Sequence, residues 1–210
     1  MSHPLSSLGL MFDGAAIFGT RCVGCRRRGP VLCDPCVRSE LPAGELKRPV
    51  HVDRLICPRT YDRATRALIL QLKLRGIEVA ADPLTAAMAS HVQSRGLRAT
   101  TLTWVPGRRT DTRRRGFDHA EVLARLLGDR LGLPCLPLLE RVGNPADQAA
   151  LNARERVANL AGAFRTRSSP ERVAIVDDVM TTGSTLTSCA RALRAAGARS
   201  VEAVVAAAVA

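Results

Sequence analysis

A hydroxyl-rich loop after a pair of aspartates is the segment of this chain best suited to chemistry. Val173–Thr185 reads VAIVDDVMTTGST. Its apolar start predicts a buried strand that runs into Asp177 and Asp178, and a helix is expected to begin near Gly183. The free N–H groups of a helix start bind phosphate, whereas adjacent carboxylates suit ribose hydroxyls and help to place Mg²⁺. The segment therefore predicts a sugar-phosphate site.

The loop residues each have a part in that prediction. Gly183 lets the backbone approach a ligand closely, and the hydroxyls of Thr181, Thr182, Ser184 and Thr185 are expected to donate to phosphate oxygens. A glycine between a strand and a helix is also typical of a plain turn capped by Thr or Ser. The paired aspartates favour a binding site over a plain turn, because buried carboxylates are costly without a partner.

Four cysteines near the N-terminus form a second chemical pattern. Cys22 and Cys25 make one CxxC pair, Cys33 and Cys36 make another, and seven residues separate the pairs. Two such turns can give four thiolates to one ion, which predicts a closed, structural Zn²⁺ site rather than a catalytic one. An iron–sulfur cluster or a redox dithiol pair is the alternative. The remaining cysteines lie in apolar sequence and are predicted to be inert: Cys57, Cys135 and Cys189.

Composition and charge narrow the classes of function. Apolar residues make up 46% of the 210-residue chain, enough for a packed core, and the net charge is +12. Nearly all of the positive charge is arginine, since Lys47 and Lys73 are the only lysines. Arginine forks suit phosphate oxygens, so a phosphorylated metabolite or a nucleic acid is a candidate partner; a solvated basic surface explains the charge equally well. We expect no signal peptide, no membrane span and a cytoplasmic location.

Two regions must position these residues. Residues 1–50 are predicted to form the small four-cysteine module, and residues 51–210 an α/β domain. Predicted strands are Arg54–Tyr61, Thr101–Val105, Cys135–Leu139, Val173–Asp177 and Ser200–Ala206. Predicted helices are Asp62–Leu74, Asp82–Ser94, Asp118–Leu131 and Gly183–Ala196, with Leu151–Leu160 a helix or a loop. This alternation predicts a mostly parallel sheet flanked by helices, with ligands at the carboxyl ends of its strands.

The phosphate loop also carries a family resemblance. VAIVDDVMTTGST resembles the signature with which type I phosphoribosyltransferases bind phosphoribosyl pyrophosphate (PRPP), and a four-cysteine knuckle before such a domain resembles the ComF family of competence protein F and GntX relatives. Two residue types depart from the family pattern: Asp118-His119 replaces the usual Asn-Gln, and Leu74 replaces Phe. Further matching segments are Leu72–Gly76, Trp104–Arg108, Arg115–Ala120, and the run Gln148, Leu151, Arg156, Asn159 and Gly162–Phe164.

The resemblance implies a role for each part of the site. Asp177 and Asp178 would hold the ribose hydroxyls, and Thr181–Thr185 would cradle the 5-phosphate. Mg²⁺ would accompany the PRPP. A second loop resembles the pyrophosphate-binding loop of the family, and it is formed by Val105, Pro106, Gly107 and Arg108.

The segment Arg109–Arg115 resembles the mobile hood that closes over PRPP. Its arginines would supply positive charge to departing pyrophosphate, with Arg115 favoured because it lies in a matching motif; a solvated arginine-rich loop is the alternative. Lys73 is expected near a helix end, where either a ligand or the helix dipole explains a cation. His119 is predicted to be a surface group at a helix N-terminus rather than a catalyst.

Two classes of function follow. The first is an enzyme of nucleotide metabolism that transfers ribose 5-phosphate from PRPP to an unidentified acceptor and releases pyrophosphate. The second is an accessory protein of natural competence and DNA uptake that binds single-stranded DNA or a partner helicase. A 3% aromatic content argues against a base-stacking platform, although the basic surface permits contact with a nucleic-acid backbone.

Overall fold

The computed structural model describes residues 21–38, 44–75, 78–142 and 163–209. Its helices are α1 (Asp34–Arg38), α2 (Arg63–Arg75), α3 (Glu78–Arg95), α4 (Arg109–Arg115), α5 (His119–Leu131) and α6 (Ser184–Ala195). Its strands are β1 (Arg54–Ile56), β2 (Arg59–Thr60), β3 (Thr101–Trp104), β4 (Glu140–Arg141), β5 (Phe164–Arg165), β6 (Arg172–Met180) and β7 (Ser200–Ala208).

The main sheet is parallel, as predicted. Its order is β1-β7-β6-β3, and β2 extends the edge by pairing with β7. β6 and β7 are central, and all but their first residues and Val179 are buried. A strand with helices on both faces buries both sets of side chains, which explains why these two strands read as continuous apolar runs.

Alternate residues of β6 pack into two different cores. Ala174 and Val176 belong to an apolar cluster with side chains of α2, α3 and α5, whereas Val173 and Ile175 belong to a second cluster with side chains of α6. Successive strand residues point to opposite faces, so the sheet is covered on both sides. The first cluster also includes Cys22, which connects the cysteine module to the core of the domain.

Several element boundaries differ from the predictions. β6 continues to Met180, beyond the predicted end at Asp177, because it pairs with β7 as far as Ala208. Asp178 therefore lies within the strand, as Asp177 does. The predicted strand Cys135–Leu139 is wrong: Cys135 makes a single bridge to Leu102.

The predicted hood Arg109–Arg115 is a short helix, α4, rather than a loop. The prediction for Leu151–Leu160, together with the motif residues Gln148, Arg156, Asn159 and Gly162, falls outside the described residues. Among the described helices, none has both the length and the hydropathy that a bilayer crossing requires.

Candidate functional site

Two loops leave the same edge of the sheet beside the acidic pair. β3 and β6 are adjacent and parallel, with Trp104 opposite Val176. Their carboxyl ends therefore lie side by side, and this places the loop 105–108 near Asp177, Asp178 and the loop 181–185. The structure brings these sequence-predicted segments to one edge, the usual location of ligands in such sheets.

The two aspartates are almost completely buried, with 9% of Asp177 and 5% of Asp178 exposed. Hydrogen bonds from backbone N–H groups offset part of the free-energy cost of this burial. The N–H of Asp178 donates to Asp177 Oδ1 at 2.9 Å, and the N–H of Val179 donates to Asp178 Oδ1 at 2.8 Å. Among ion pairs between described residues, none involves Asp177. The carboxyl group of Asp177 therefore offers oxygen donors of the kind that a hard cation such as Mg²⁺ takes.

Two basic side chains from distant parts of the chain, a lysine and a histidine, contact Asp178. Lys73 Nζ, near the end of α2, lies 2.5 Å from Asp178 Oδ2, and His119 Nε2, at the start of α5, lies 3.4 Å from the same oxygen. The side chain of His119 is only 16% exposed, so its predicted surface position is wrong. The sequence carried no signal for this contact, because it joins three elements that are far apart in the chain.

The pKa values of the two aspartates are shifted in opposite directions. Burial and the neighbouring charge of Asp178 raise the pKa of Asp177 well above its ordinary value. Burial alone would also raise the pKa of Asp178, but the hydrogen bond from His119 and the charge of Lys73 outweigh it and hold that pKa below its usual range. The two neighbouring carboxyl groups therefore lie in different electrostatic environments.

The loop 181–185 turns sharply at Gly183 into the start of α6. Gly183 adopts φ +75°, and a Cβ there would lie 2.9 Å from Pro49 Cγ, so both backbone and space require glycine. The N-cap residue of α6 is Gly183, which has no side chain to hydrogen-bond the first N–H groups of the helix. Thr181 and Thr182 are exposed, and the hydroxyls of Thr182 and Ser184 hydrogen-bond each other. Polar groups are thus gathered at a helix N-terminus, as the sequence predicted.

The loop 105–108 is held by Asp118. The N–H of Gly107 donates to Asp118 Oδ2 at 2.7 Å, and the N–H of Ala120 donates to Asp118 Oδ1 at 3.1 Å. A Cβ on Gly107 would lie 3.1 Å from that same Oδ2. Asp118, at which the chain departs from the family pattern, is therefore both the N-cap of α5 and the anchor of the loop.

The exposure of the other residues of this loop increases along the chain from Val105 to Arg108. Val105 is buried and its N–H donates to Val176 O at 3.0 Å, which extends the sheet by one bond. Pro106 is half-buried and Arg108 is exposed. Arg141 of β4, which the sequence did not single out, contacts this loop: its Nε donates to Pro106 O at 3.0 Å.

Arg115 is not brought to the acidic pair by any contact between described residues. It ends α4 with a half-buried side chain whose Nε is buried and has no hydrogen-bond partner in the described part of the chain. The predicted role of Arg115 stays a prediction.

The four cysteines come together as predicted. The sulfurs of Cys22, Cys25, Cys33 and Cys36 all lie within 4.8 Å of one another, and those of Cys25 and Cys33 are 3.7 Å apart. Tetrahedral Zn²⁺ with Zn–S bonds of about 2.3 Å places sulfurs roughly 3.8 Å apart. The donor set and its spacing are those of a metal site.

The electrostatics of the thiols also suit a cation. Burial would raise the pKa of Cys22, but backbone N–H groups lower it to about 6. Hydrogen bonds with Cys33 and Cys22 raise the pKa of Cys36 to about 12. A bound cation would offset the repulsion between the negative charges of neighbouring thiolates. A Cβ on Gly24 would lie 2.8 Å from Cys36 Sγ, so glycine is what lets the turn close around the sulfurs.

The remaining cysteines have the properties of core residues. Burial raises the pKa of Cys57 and of Cys135 to about 11, and it raises the pKa of Cys189 well above its ordinary value. These thiols are protonated at neutral pH and are poor nucleophiles.

Part of the domain matches a known protein family. A family model described as the phosphoribosyl transferase domain matches residues 165–210, which include the acidic pair and its loop. Against solved structures, the chain is 15% identical to adenine phosphoribosyltransferase from Leishmania tarentolae, over 70% of this chain and 61% of that one, with a TM-score of 0.37.

Two relatives carry names connected with DNA. The chain is 38% identical to competence protein F of Haemophilus influenzae over 95 residues, 42% of each protein, and so matches less than half of that relative. It is 33% identical to the DNA utilization protein YhgH of Salmonella typhimurium over 195 residues, 86% of each protein. Identity of this extent over nearly whole chains places the protein in the ComF family, with a type I phosphoribosyltransferase fold preceded by a four-cysteine cluster.

Proposed function

We propose that this protein binds PRPP and transfers its ribose 5-phosphate to an acceptor, with release of pyrophosphate. The observation that carries the proposal is the arrangement of Asp177 and Asp178 between two loops at one edge of the sheet. One loop begins a helix and suits a phosphate, and the other is held open by Asp118.

The ligand would lie across this edge in one orientation. Its 5-phosphate accepts hydrogen bonds from the start of α6 and the hydroxyls of Thr181–Thr185. Its ribose hydroxyls reach the carboxyl groups of Asp177 and Asp178. Its pyrophosphate lies against the loop 105–108, with Arg108 beside it, and Arg115 approaches when α4 moves inward.

In the proposed reaction the acceptor attacks C1 of the ribose. A bond forms between the acceptor and C1, and the bond from C1 to the pyrophosphate oxygen breaks, with its electron pair staying on that oxygen. The acceptor's proton passes to solvent. The carboxylate oxygens of Asp177 and Asp178 would help to hold Mg²⁺, which would neutralise part of the charge of the phosphates. The arginines around the loop 105–108 stabilise the charge that develops on the leaving group.

We also propose that the four-cysteine cluster holds a structural Zn²⁺. Four sulfur ligands complete a tetrahedral shell and leave no position for a substrate. Because Cys22 belongs to the apolar cluster of the domain, loss of the metal is expected to lower the stability of the whole protein.

Isothermal titration calorimetry with PRPP and MgCl₂ tests the binding step. Wild-type protein should bind, and the Asp177→Asn/Asp178→Asn variant should lose at least about tenfold in affinity, the effect of one lost charge-assisted hydrogen bond. Asp129→Asn is the matched control, since it removes an exposed carboxylate near the far end of α5. Absence of binding by the wild type would refute the proposal.

Release of pyrophosphate from PRPP, followed in a coupled phosphate assay with nucleobases as trial acceptors, tests the chemical step. Release above the level of the double aspartate variant supports transfer. Binding of PRPP without release of pyrophosphate, with every acceptor tried, would refute the proposed transfer reaction and would support a role in binding alone.

A second candidate function is contact with nucleic acid. It is favoured by the arginines of α4, of which Arg109 and Arg114 have side chains 73% exposed, and by the names of the relatives. Single-stranded DNA binding measured across a salt series should then weaken with salt, and Arg113→Gln/Arg114→Gln should reduce the slope of log K against log salt concentration by about 1.4. No binding at low salt would exclude DNA as a direct ligand.

A further inference from the structure

Arg141 occupies an unusual position under the loop 105–108. Its Nε donates to Pro106 O at 3.0 Å, and its guanidinium carbon lies 4.5 Å from the ring centre of Phe164, which is also its cross-strand partner. The ring and the carbonyl together fix the plane of the guanidinium. One N–H is used to hold the loop, and no other hydrogen bond of Arg141 is found among the described residues.

No carboxylate among the described residues forms an ion pair with Arg141. The charged and titratable groups that face it are Cys189, Arg108, Asp177 and Asp118, and burial together with Arg108 lowers its pKa.

A half-buried cation that no described carboxylate contacts is unfavourable unless an anion compensates it. The cation–π contact with Phe164 uses the face of the guanidinium, so the remaining N–H groups at its edge are left to donate to an anion. The exposed Arg165 of the neighbouring strand shows the contrast, because it pairs with Glu140 at 3.0 Å.

We infer that Arg141 is a ligand-binding residue for the diphosphate group, which it contacts with its remaining N–H donors while its Nε holds Pro106. This inference rests on the proposed function, and it adds to the pyrophosphate loop a cation from a strand outside it. A planar fork fixed on two sides is suited to the bidentate hydrogen bonding of phosphate oxygens. Its preorganised charge would stabilise the leaving pyrophosphate more than the intact ligand.

Separate titrations with inorganic pyrophosphate, ribose 5-phosphate and PRPP, each with MgCl₂, test the assignment. Arg141→Gln should bind pyrophosphate and PRPP about 10- to 100-fold more weakly, whereas ribose 5-phosphate affinity should change less than about twofold. Arg141→Lys keeps a charge and a donor but loses the fork, and should fall between the two. Arg165→Gln is the matched control, since it removes an exposed arginine from the same small sheet.

The pattern of losses separates binding from bracing. Equal weakening for all three ligands, or unchanged pyrophosphate binding in a folded Arg141→Gln protein, would overturn the assignment while leaving the proposed function intact. Failure of the wild type to bind any of the three would overturn both. If Arg141→Gln does not fold, the same comparison in Arg141→Lys decides, because a weakened pyrophosphate affinity with unchanged ribose 5-phosphate affinity is still required.

Discussion

Replacement of Asp118 should show how one carboxylate links helix capping to the ligand loop. Its two oxygens accept from different backbone groups, Ala120 N at 3.1 Å and Gly107 N at 2.7 Å. Loss of an N-cap costs about 1 kcal/mol, and loss of a charge-assisted hydrogen bond about 1.5 kcal/mol more. Asp118→Ala should therefore lower the free energy of unfolding by about 2.5 kcal/mol, which corresponds to a fall of roughly 5–10 °C in Tm for a chain of this size.

Asp118→Asn makes the argument sharper. An amide keeps one of the two carboxylate oxygens and places an NH₂ donor where the other was, so in the observed geometry asparagine can cap α5 or hold Gly107, but not both. Its Tm should lie between those of the wild type and Asp118→Ala, and its PRPP affinity should fall because the loop is released. Thermal unfolding followed by circular dichroism, with calorimetric titration of PRPP, measures both effects. An Asp118→Ala protein with wild-type Tm would refute the reasoning, as would equal Tm values for the two variants.

Three other predictions concern single positions. Gly183→Ala should cost about 2–4 kcal/mol, because φ is +75° and a proline carbon lies 2.9 Å from the new Cβ; Gly116→Ala, at φ +80° with open space around it, should cost only about 1–2 kcal/mol in the same urea-unfolding assay. Gly24→Ala should lower the zinc content found by elemental analysis, since its Cβ would lie 2.8 Å from a cluster sulfur; an unchanged content would contradict this. The third prediction concerns Asp53. Burial alone would raise the pKa of this carboxyl group, but the hydrogen bond from the N–H of Val201 and the charge of Arg194 outweigh burial and lower that pKa. The stability that Asp53 contributes is then present above its unfolded pKa and lost as pH falls through the lower folded pKa, so wild type and Asp53→Asn should converge in acid, and a constant difference down to pH 2 would exclude this.

Much of the fold followed from local patterns. The helical spacing of apolar residues predicted α2, α5 and α6 to within a residue or two, and the glycines that end α4 and α5 adopt positive φ at their C-caps. These features depend on residues within one turn of each other, so a short stretch of sequence contains their cause.

Strand lengths depended on partners and were harder to predict. β6 extends to Met180 because β7 runs beside it to Ala208, while Cys135–Leu139 finds a single bridge instead of a strand partner. The hydrogen bonds that define a strand come from residues distant in sequence, and a local pattern does not report whether those residues are present.

The sequence by itself determined the chemical materials of the site: a carboxylate pair at a strand end, a hydroxyl-rich helix start and four cysteines at metal-ligand spacing. Only the tertiary structure decided the electrostatic environment of the aspartates, because Lys73 and His119 reach Asp178 from two other elements. It also decided that Arg141 lies beneath the loop 105–108. Spacing along a chain specifies contacts within a turn or a loop, whereas electrostatic environment depends on burial and on charges that only packing brings within a few ångströms.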